Sequence, residues 1–551
     1  MSSTRVLKLH PKDNVLVALQ DMEPGTVVEE GGSPLSLVSK VSAKHKFAAE
    51  DLSVGDKITM YGTLVGKATR RISRGEVISL DNTVHDAAAY QVGQHIEKWE
   101  KPDVSKWKER TFDGYHRADG SVGTANFWLV IPMVFCENRN VEVLRSALLK
   151  SLGYHIAEDF SVDTESLVSK YLSGASEEEL WATSIIRTPE EIKQNRAFPN
   201  VDGIKFLSHA GGCGGMREDS DALCELLAGY ITNANVAGAT VLSLGCQNAE
   251  VRLLANGIKE RDPNFSKPLY ILEQHKSKSE RHFIEEAVKK TFIGLIEANK
   301  TERKPAPLHH LTLGLECGGS DGFSGISANP ALGYTSDLLV ALGGTTILSE
   351  FPELNGVEQE LINRCTSRET AEKFAGLMDA YSAKAVALGS GLENNPSPGN
   401  IKDGLITDAM KSAGAAKKGG TSPVTDVLNY AEKARTKGLN LLCTPGNDVE
   451  STTGLAGSGC TLIAFTTGLG TPTGNPIAPV IKISSNNELQ RRMKDLIDIN
   501  AGTVITGEHS IEEKGEELLE YLIRVASGIE MPAAVRLGQD DFIPWKRGIS
   551  L

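Results

Sequence analysis

Leu311-Thr-Leu-Gly-Leu-Glu316-Cys317-Gly-Gly-Ser-Asp321 is an apolar run of strand length that ends in a glycine-rich loop carrying a thiol and two carboxylates. The pattern recurs twice. Ile204 to Leu207 leads into His209-Ala-Gly-Gly-Cys213-Gly-Gly, and Val241 to Leu244 leads into Leu244-Gly-Cys246-Gln-Asn248. In an α/β sheet, ligands bind outside the carboxyl ends of the strands, above all where the strand order reverses. Glycines there let backbone N–H groups come close to a ligand, and a cysteine offers a thiolate to a metal. Three such loops predict an α/β fold and one shared site.

Outward from these loops, strand and helix patterns alternate from Asn126 to the C-terminal region. Phe127 to Ile131, Ala239 to Leu244, Thr345 to Leu348, Leu439 to Leu442, Leu462 to Phe465 and Val480 to Ile483 read as strands. Alternation with helices predicts mostly parallel sheets. Up to about Val84 the rhythm differs: Asp21-Met-Glu-Pro-Gly25, Asp51-Leu-Ser-Val-Gly55 and Ile72-Ser-Arg-Gly75 each place a turn before a β-branched run. That predicts a small all-β unit of hairpins. The expected division is a β domain over 1–90, a charged linker over 91–112, a first α/β domain over 113–303 and a second over 304–551. The acidic, helix-prone stretch 151–200 reads as an insert.

A chain of 551 residues exceeds one hydrophobic core. Its 40% hydrophobic and 23% charged residues are ordinary for a globular protein. The formal charge of −13 argues against nucleic-acid and anionic-membrane partners. No apolar stretch reaches membrane-span length, and the Met1 to His10 segment has no signal-peptide core. The expectation is a cytoplasmic protein with reduced thiols, compatible with a homo-oligomer.

Four further loops are rich in Gly, Pro, Asn and Thr: Asn394 to Asn400, Pro445-Gly-Asn-Asp448, Thr452 to Cys460, and Gly468 to Asn475. Their amides and hydroxyls suit a polyhydroxylated ligand. Cys213, Cys246 and Cys317 are too widely spaced for a local zinc knuckle. Glu316 and Asp321 are candidates for cation binding, acid–base work or simple turn capping, and His209 for proton transfer or burial. Thiolate and imidazole favour iron or zinc, whereas carboxylates favour magnesium or manganese. Residue types leave the choice open.

The segment Gly314 to Pro330, with Asn395-Pro-Ser-Pro-Gly-Asn400, Leu455-Ala-Gly-Ser-Gly-Cys460 and Gly470-Thr-Pro-Thr-Gly474, closely resembles the altronate and galactarate dehydratase family. The N-terminal unit, including Lys44-His45-Lys46-Phe47-Ala48, resembles the small SAF (β-clip-like) domain of such enzymes. The resemblance implies iron(II)-dependent loss of water from a sugar acid, D-altronate giving 2-dehydro-3-deoxy-D-gluconate. On it, His45 or His209 is the expected proton-transfer residue, with Glu316 and Asp321 as further catalytic candidates. Cys213, Cys246 and Cys317 are expected near the metal, and Arg117 or Lys482 at the substrate carboxylate. Asn126, Asn400, Asn447, Asp448 and Thr471 are the remaining expected substrate contacts.

The chain departs from the family pattern at Val77-Ile-Ser-Leu-Asp-Asn82, which lacks the expected histidines, at Ala125 in place of arginine, and at Gln247 in place of glutamate. The 151–200 insert is also longer than expected. Alternative readings are galactarate or another sugar acid as substrate, and a different leaving group as in sulfolactate sulfo-lyase. Manganese, or an iron–sulfur cluster on the three cysteines, is an alternative cofactor. A non-catalytic sugar-acid sensor is the alternative outside enzymology.

Overall fold

A computed structural model describes residues 5–93, 98–154, 161–187, 196–548 and 550. Parts of the expected linker (94–97) and insert (155–160 and 188–195) lie outside the described residues.

The N-terminal region is all-β. Short antiparallel ribbons pair Val15–Ala18 with Lys46–Ala48, Val27–Glu30 with Ser33–Ser36, and Lys57–Met60 with Thr63–Ala68. The three repeated turns work alike. Gly25, Gly55 and Gly75 all take positive φ (+83°, +87° and +87°), where a side chain would be strained. Leu16, Val28, Leu35, Val41 and Phe47 form the ribbons' own core.

The second region holds a four-stranded parallel sheet of β1 (Phe127–Pro132), β2 (Gly203–Phe206), β3 (Val236–Ser243) and β4 (Leu269–Glu273), in the order β2-β1-β3-β4. Helix α1 (Arg217–Thr232) buries Leu223, Leu226, Leu227, Tyr230 and Ile231, a 3–4 periodicity that puts one face on the core. It packs on α2 (Val251–Arg261). The inserted stretch forms helices Thr164–Leu172 and Glu177–Trp181 and the ribbon Ser161–Val162 with Ile186–Arg187.

The third region is a seven-stranded, wholly parallel sheet. Its strands are β5 (Thr312–Cys317), β6 (Thr345–Leu348), β7 (Val424–Leu428), β8 (Gly438–Leu442), β9 (Leu462–Thr467), β10 (Val480–Ser484) and β11 (Ile499–Asn500), ordered β7-β8-β6-β5-β9-β10-β11. Every residue of β5 after Thr312 is buried, as a strand covered on both faces requires. The chain winds one way from β5 through β6 and then resumes on the other side with β9. The switch point therefore lies between β5 and β9.

The regions are tied together. Thr111–His116, entering the second region, pairs antiparallel with Lys304–Pro307, which leaves it. Val15, Ile58 and Val65 share a core with Phe323, Ile406 and Met410 of the third region. Part of the linker is packed: Trp107 is buried, and its indole N–H donates to Glu520 (2.9 Å) on α5 (Ile511–Ala526), later than α3 (Ala328–Ala341) and α4 (Asp448–Gly457) in the chain.

Candidate active site

The carboxyl ends of β5 and β6 and the start of α4 converge at the switch point. Glu316 is buried at the end of β5, and its Oε2 accepts from Ser349 Oγ (2.6 Å) and Ser451 Oγ (2.7 Å). Its Oε1 is buried with no hydrogen-bond partner. Glu350, just beyond β6, holds a left-handed backbone (φ +69°) although it is not glycine. Such strain costs about 1–3 kcal/mol and collects at functional sites. Glu350 Oε2 accepts from the Cys317 N–H (3.1 Å) and from Lys418 Nζ (2.7 Å), while Oε1 has no partner.

Around these two carboxylates lies a dense charged network. Lys418 Nζ also donates to Cys317 Sγ (2.7 Å), and the thiol donates to Glu353 Oε2 (2.9 Å). Lys411 joins Glu353 Oε1 (2.7 Å) to Asn395 Oδ1 (2.6 Å). Glu316, Glu350 and Asp448 each bring a carboxylate oxygen within 4.8 Å of the others, as do the donor atoms of Cys317, Glu350 and Glu353. The second trio has its charge answered by two lysines. The first keeps two unpartnered oxygens.

Lys482 completes the site. Glu316, Phe465 and Lys482 are register partners across β5, β9 and β10. The Lys482 ammonium nitrogen lies 3.4 Å from the centre of the Phe465 ring, buried and without a hydrogen bond. Gly318 is required beside it: a Cβ there would fall 2.0 Å from Asp448 Oδ2.

Burial sets the titration of the site. Desolvation, then the Glu350 charge, pushes Glu316 well above the carboxylate range. Burial, then the Glu353 charge, raises Glu350 to about 7 and Asp448 to about 6. Burial lowers Lys482 to about 7 against the pull of Asp448. Glu353, despite its burial, is held below its usual range by Lys411 and Lys418. Burial, then Glu350 and Glu353, pushes the Cys317 thiol up.

The sequence-predicted residues fall into distinct places. Glu316, Cys317 and Asp448 are in this cluster. Asp321 lies in the loop after β5, but both its oxygens are taken. Oδ1 accepts from the Phe323 and Ser324 N–H groups and from the Ser324 and Ser485 hydroxyls, and Oδ2 from Asn486 and Lys44. Asn400 closes a capping box with Ser397 and donates to Ser320 O (2.8 Å). Asn447 caps α4, and Thr471 hangs its backbone N–H on Thr467 Oγ1 (3.2 Å). These three shape the loops at the site.

Other candidates lie apart from the cluster. His209 Nε2 meets Pro132 O (2.7 Å) and Nδ1 accepts from the Gly211 N–H (3.1 Å), so both ring nitrogens are spent holding the loop after β2. Cys213 and Cys246 are exposed in the loops after β2 and β3, and the described residues do not bring them into a metal-holding group with Cys317. Asn126 immediately precedes β1, at the amino end of its sheet, and binds the Arg117 guanidinium (2.9 Å), which also donates to Ala234 O (2.7 Å). His45 is half-buried in the loop that the N-terminal domain lays on the third region; its Nδ1 lies 3.3 Å from Ala43 O. Its neighbour Lys44 reaches Asp321 (3.1 Å) and Asp403 (3.5 Å). Asn82, in the segment lacking histidines, closes a turn with Ser79 and Val77 and accepts from the Thr83 hydroxyl.

The sequence reading missed Glu350, Glu353, Lys411, Lys418, Ser349 and Ser451. One signal was visible: Ser349-Glu350-Phe-Pro-Glu353 directly follows the apolar run of β6, as Glu316-Cys317 ends that of β5.

Three family models cover this arrangement. The altronate/galactarate dehydratase SAF domain matches residues 4–86, the D-galactarate dehydratase/altronate hydrolase second domain 114–299, and the D-galactarate/altronate dehydratase C-terminal domain 308–550. Over 95% of both chains, the protein is 33% identical to altronate dehydratase of Bacillus subtilis (strain 168). It is 32% identical to altronate dehydratase of Escherichia coli (strain K12), again over 95% of each.

The chain belongs to the altronate/galactarate dehydratase family.

A third relative, galactarate dehydratase (L-threo-forming) of Escherichia coli (strain K12), is 32% identical over 95% of this chain and 92% of its own. The family's C-terminal domain model spans the whole charged cluster, from Glu316 to Lys482. Its SAF model includes Lys44 and His45, the loop that docks on Asp321.

Proposed function

We propose that the protein is a hydro-lyase that removes water from D-altronate to give 2-dehydro-3-deoxy-D-gluconate. The observation that carries this reading is the set of three buried polar atoms without partners at the switch point: Glu316 Oε1, Glu350 Oε1 and Lys482 Nζ. Most buried polar groups in folded proteins are satisfied, and Glu316 and Glu350 lie together in a trio of carboxylates, so their unpaired oxygens mark where a ligand goes.

The donor set fits a divalent cation. Glu316, Glu350 and Asp448 would hold it through oxygen, a donor set that favours manganese or magnesium, whereas iron(II) is the ion the family resemblance implies. When bound, such an ion supplies Lewis acidity at the substrate carboxylate and hydroxyl. An iron–sulfur cluster finds less support, because Cys213 and Cys246 do not converge on Cys317.

The chain's own groups do the rest. Lys418 and Lys411 hold Glu350 and Glu353 in place, so the carboxylates cannot splay apart. Phe465 and the buried strands keep water from the Lys482 amine, which favours its neutral form. Neutral Lys482 Nζ accepts the proton from C2 of the sugar acid, next to its carboxylate. The C2–H electron pair forms the C2–C3 double bond, and the C3 hydroxyl leaves, taking up a proton to become water. The enol then tautomerises to the 2-oxo acid. The Ser, Thr and Asn groups around the loops suit the remaining hydroxyls.

The test is an anaerobic assay with iron(II) that compares D-altronate, galactarate and D-mannonate for 2-oxo-3-deoxy acid. Turnover of D-altronate above the others supports the reading. Preference for galactarate moves the assignment to the alternative substrate. No product from any sugar acid, with iron bound, overturns it.

A further inference from the structure

A second concave site lies at the opposite end of the seven-stranded sheet. It is a cleft of about 550 Å³ where β5, β8 and β9 begin, with Thr312 and Thr461 in its wall. Three stretches of chain furnish it with cations: Arg261 at the end of α2, His309 and His310 before β5, and Lys433, Arg435 and Lys437 before β8. Among the described residues, the only acid in its lining is Asp119, whose carboxylate already accepts from the Ser121 N–H (3.0 Å) and hydroxyl (2.6 Å). In a chain of net charge −13, this concentration of positive charge needs a cause.

Part of it is structural. Arg261 is buried and donates to Gly457 O (3.0 Å), at the end of α4, and to Ala431 O, in the loop between β7 and β8. The others are less fully used. Lys433 gives one hydrogen bond, to Arg261 O (3.0 Å), Lys437 one, to His309 O (2.7 Å), and Arg435 one, to Glu260 O (2.8 Å). An ammonium has three donors and a guanidinium five. Among the described residues, none of Arg261, Lys433, Arg435 and Lys437 forms an ion pair. The His309 and His310 rings lie 4.3 Å apart, so protonating both would add repulsion that an anion would relieve. Burial lowers Lys433 against the pull of Asp119, with Arg435 and Arg261 adding to the effect, and burial lowers Lys437.

We propose that this cleft binds a multiply charged anion of the phosphate class, held by Lys433, Arg435 and Lys437 over the His309–His310 pair. Cations on backbone carbonyls, with donors to spare and, among the described residues, no carboxylate close enough to pair with them, match a phosphate's several acceptor oxygens. The volume admits a phosphorylated sugar as well as inorganic phosphate. The cleft is separate from the sugar-acid site. Thr312 opens β5 in the cleft and Cys317 closes it at the catalytic cluster, one strand length away. The proposal therefore stands independently of which sugar acid the enzyme takes.

Calorimetric titration of the full-length, metal-loaded protein tests it, with inorganic phosphate in one arm and fructose 1,6-bisphosphate in the other. Saturable binding of one equivalent is expected, tighter for the bisphosphate if the natural ligand is a sugar phosphate and equal if it is free phosphate. The Lys433→Glu/Lys437→Glu variant should weaken binding by about 100-fold, two charge-assisted contacts being lost, while turnover of the sugar acid is unchanged. If the double variant does not fold, Arg435→Glu alone should weaken binding by about tenfold. No saturable heat at about 10 mM of either probe, affinity unmoved by the substitutions, or displacement by D-altronate would overturn the proposal.

Discussion

Lys418 Nζ lies 2.7 Å from Glu350 Oε2, and both side chains are withdrawn from solvent. The pair fixes the carboxylate of a residue with a strained backbone, and its other oxygen is left to meet a ligand. Breaking it should be costly in a particular way. Lys418→Met leaves Glu350, Glu353 and Cys317 without their shared cation, and removing one partner of a buried pair costs about 3–5 kcal/mol. Urea unfolding should show that loss, whereas a change below about 1 kcal/mol would mean that the lysine is dispensable.

Lys482 should behave in the opposite sense. Its amine is buried with no hydrogen bond, so Lys482→Met removes an unsatisfied polar atom and keeps the stem over Phe465. Thermal stability should hold or rise, while kcat falls by about 10²–10⁴, the range for losing a general base. A variant with wild-type kcat would remove Lys482 from the proton transfer.

Gly318→Ala tests the tightness of the site. The new Cβ would sit 2.0 Å from Asp448 Oδ2 and 2.6 Å from the Phe465 ring, so Asp448 must move. Displacement of this size costs about 10² in rate. Steady-state kinetics and metal affinity should fall together; loss of neither would show that Asp448 has room to spare.

The joint between the N-terminal domain and the catalytic sheet has a pH signature. Lys46 is fully buried, donates to Gly404 O (2.7 Å), and is lowered by burial to about 7. In the unfolded chain it titrates near 10.5. The unfolded state therefore binds more protons between those values, and the cost of burying the charge, full below pH 7, is relieved as pH rises toward 10.5. Relative to Lys46→Met, the wild type should gain stability from pH 6.5 to pH 9. Melting curves of the two proteins that stay parallel would contradict it.

The strands and loops of the catalytic sheet were readable because parallel strands buried on both faces appear as unbroken apolar runs, and Leu311 to Leu315 is one. The repeated Gly25, Gly55 and Gly75 turns were readable because positive φ demands glycine. The partners of Cys317 were not. Lys418 is 101 residues away along the chain, in a short 3-10 turn, and only the tertiary fold brings it to the thiol. Arg117 and Asn126 were offered on the resemblance alone. In the fold they meet at the amino end of β1, bonded to each other. His209 drew notice as a titratable group, yet its loop consumes both nitrogens.

The central claim is that Glu316, Glu350 and Asp448 form the cation-holding heart of a sugar-acid dehydratase. Anaerobic titration of iron(II) into wild type and Glu316→Gln, with formation of 2-oxo-3-deoxy acid from D-altronate read in the same samples, tests it most directly. The account predicts one tight iron and turnover in the wild type, with affinity reduced by about 10-fold or more and turnover reduced further in the variant. Equal iron binding and equal turnover in the two proteins would contradict it.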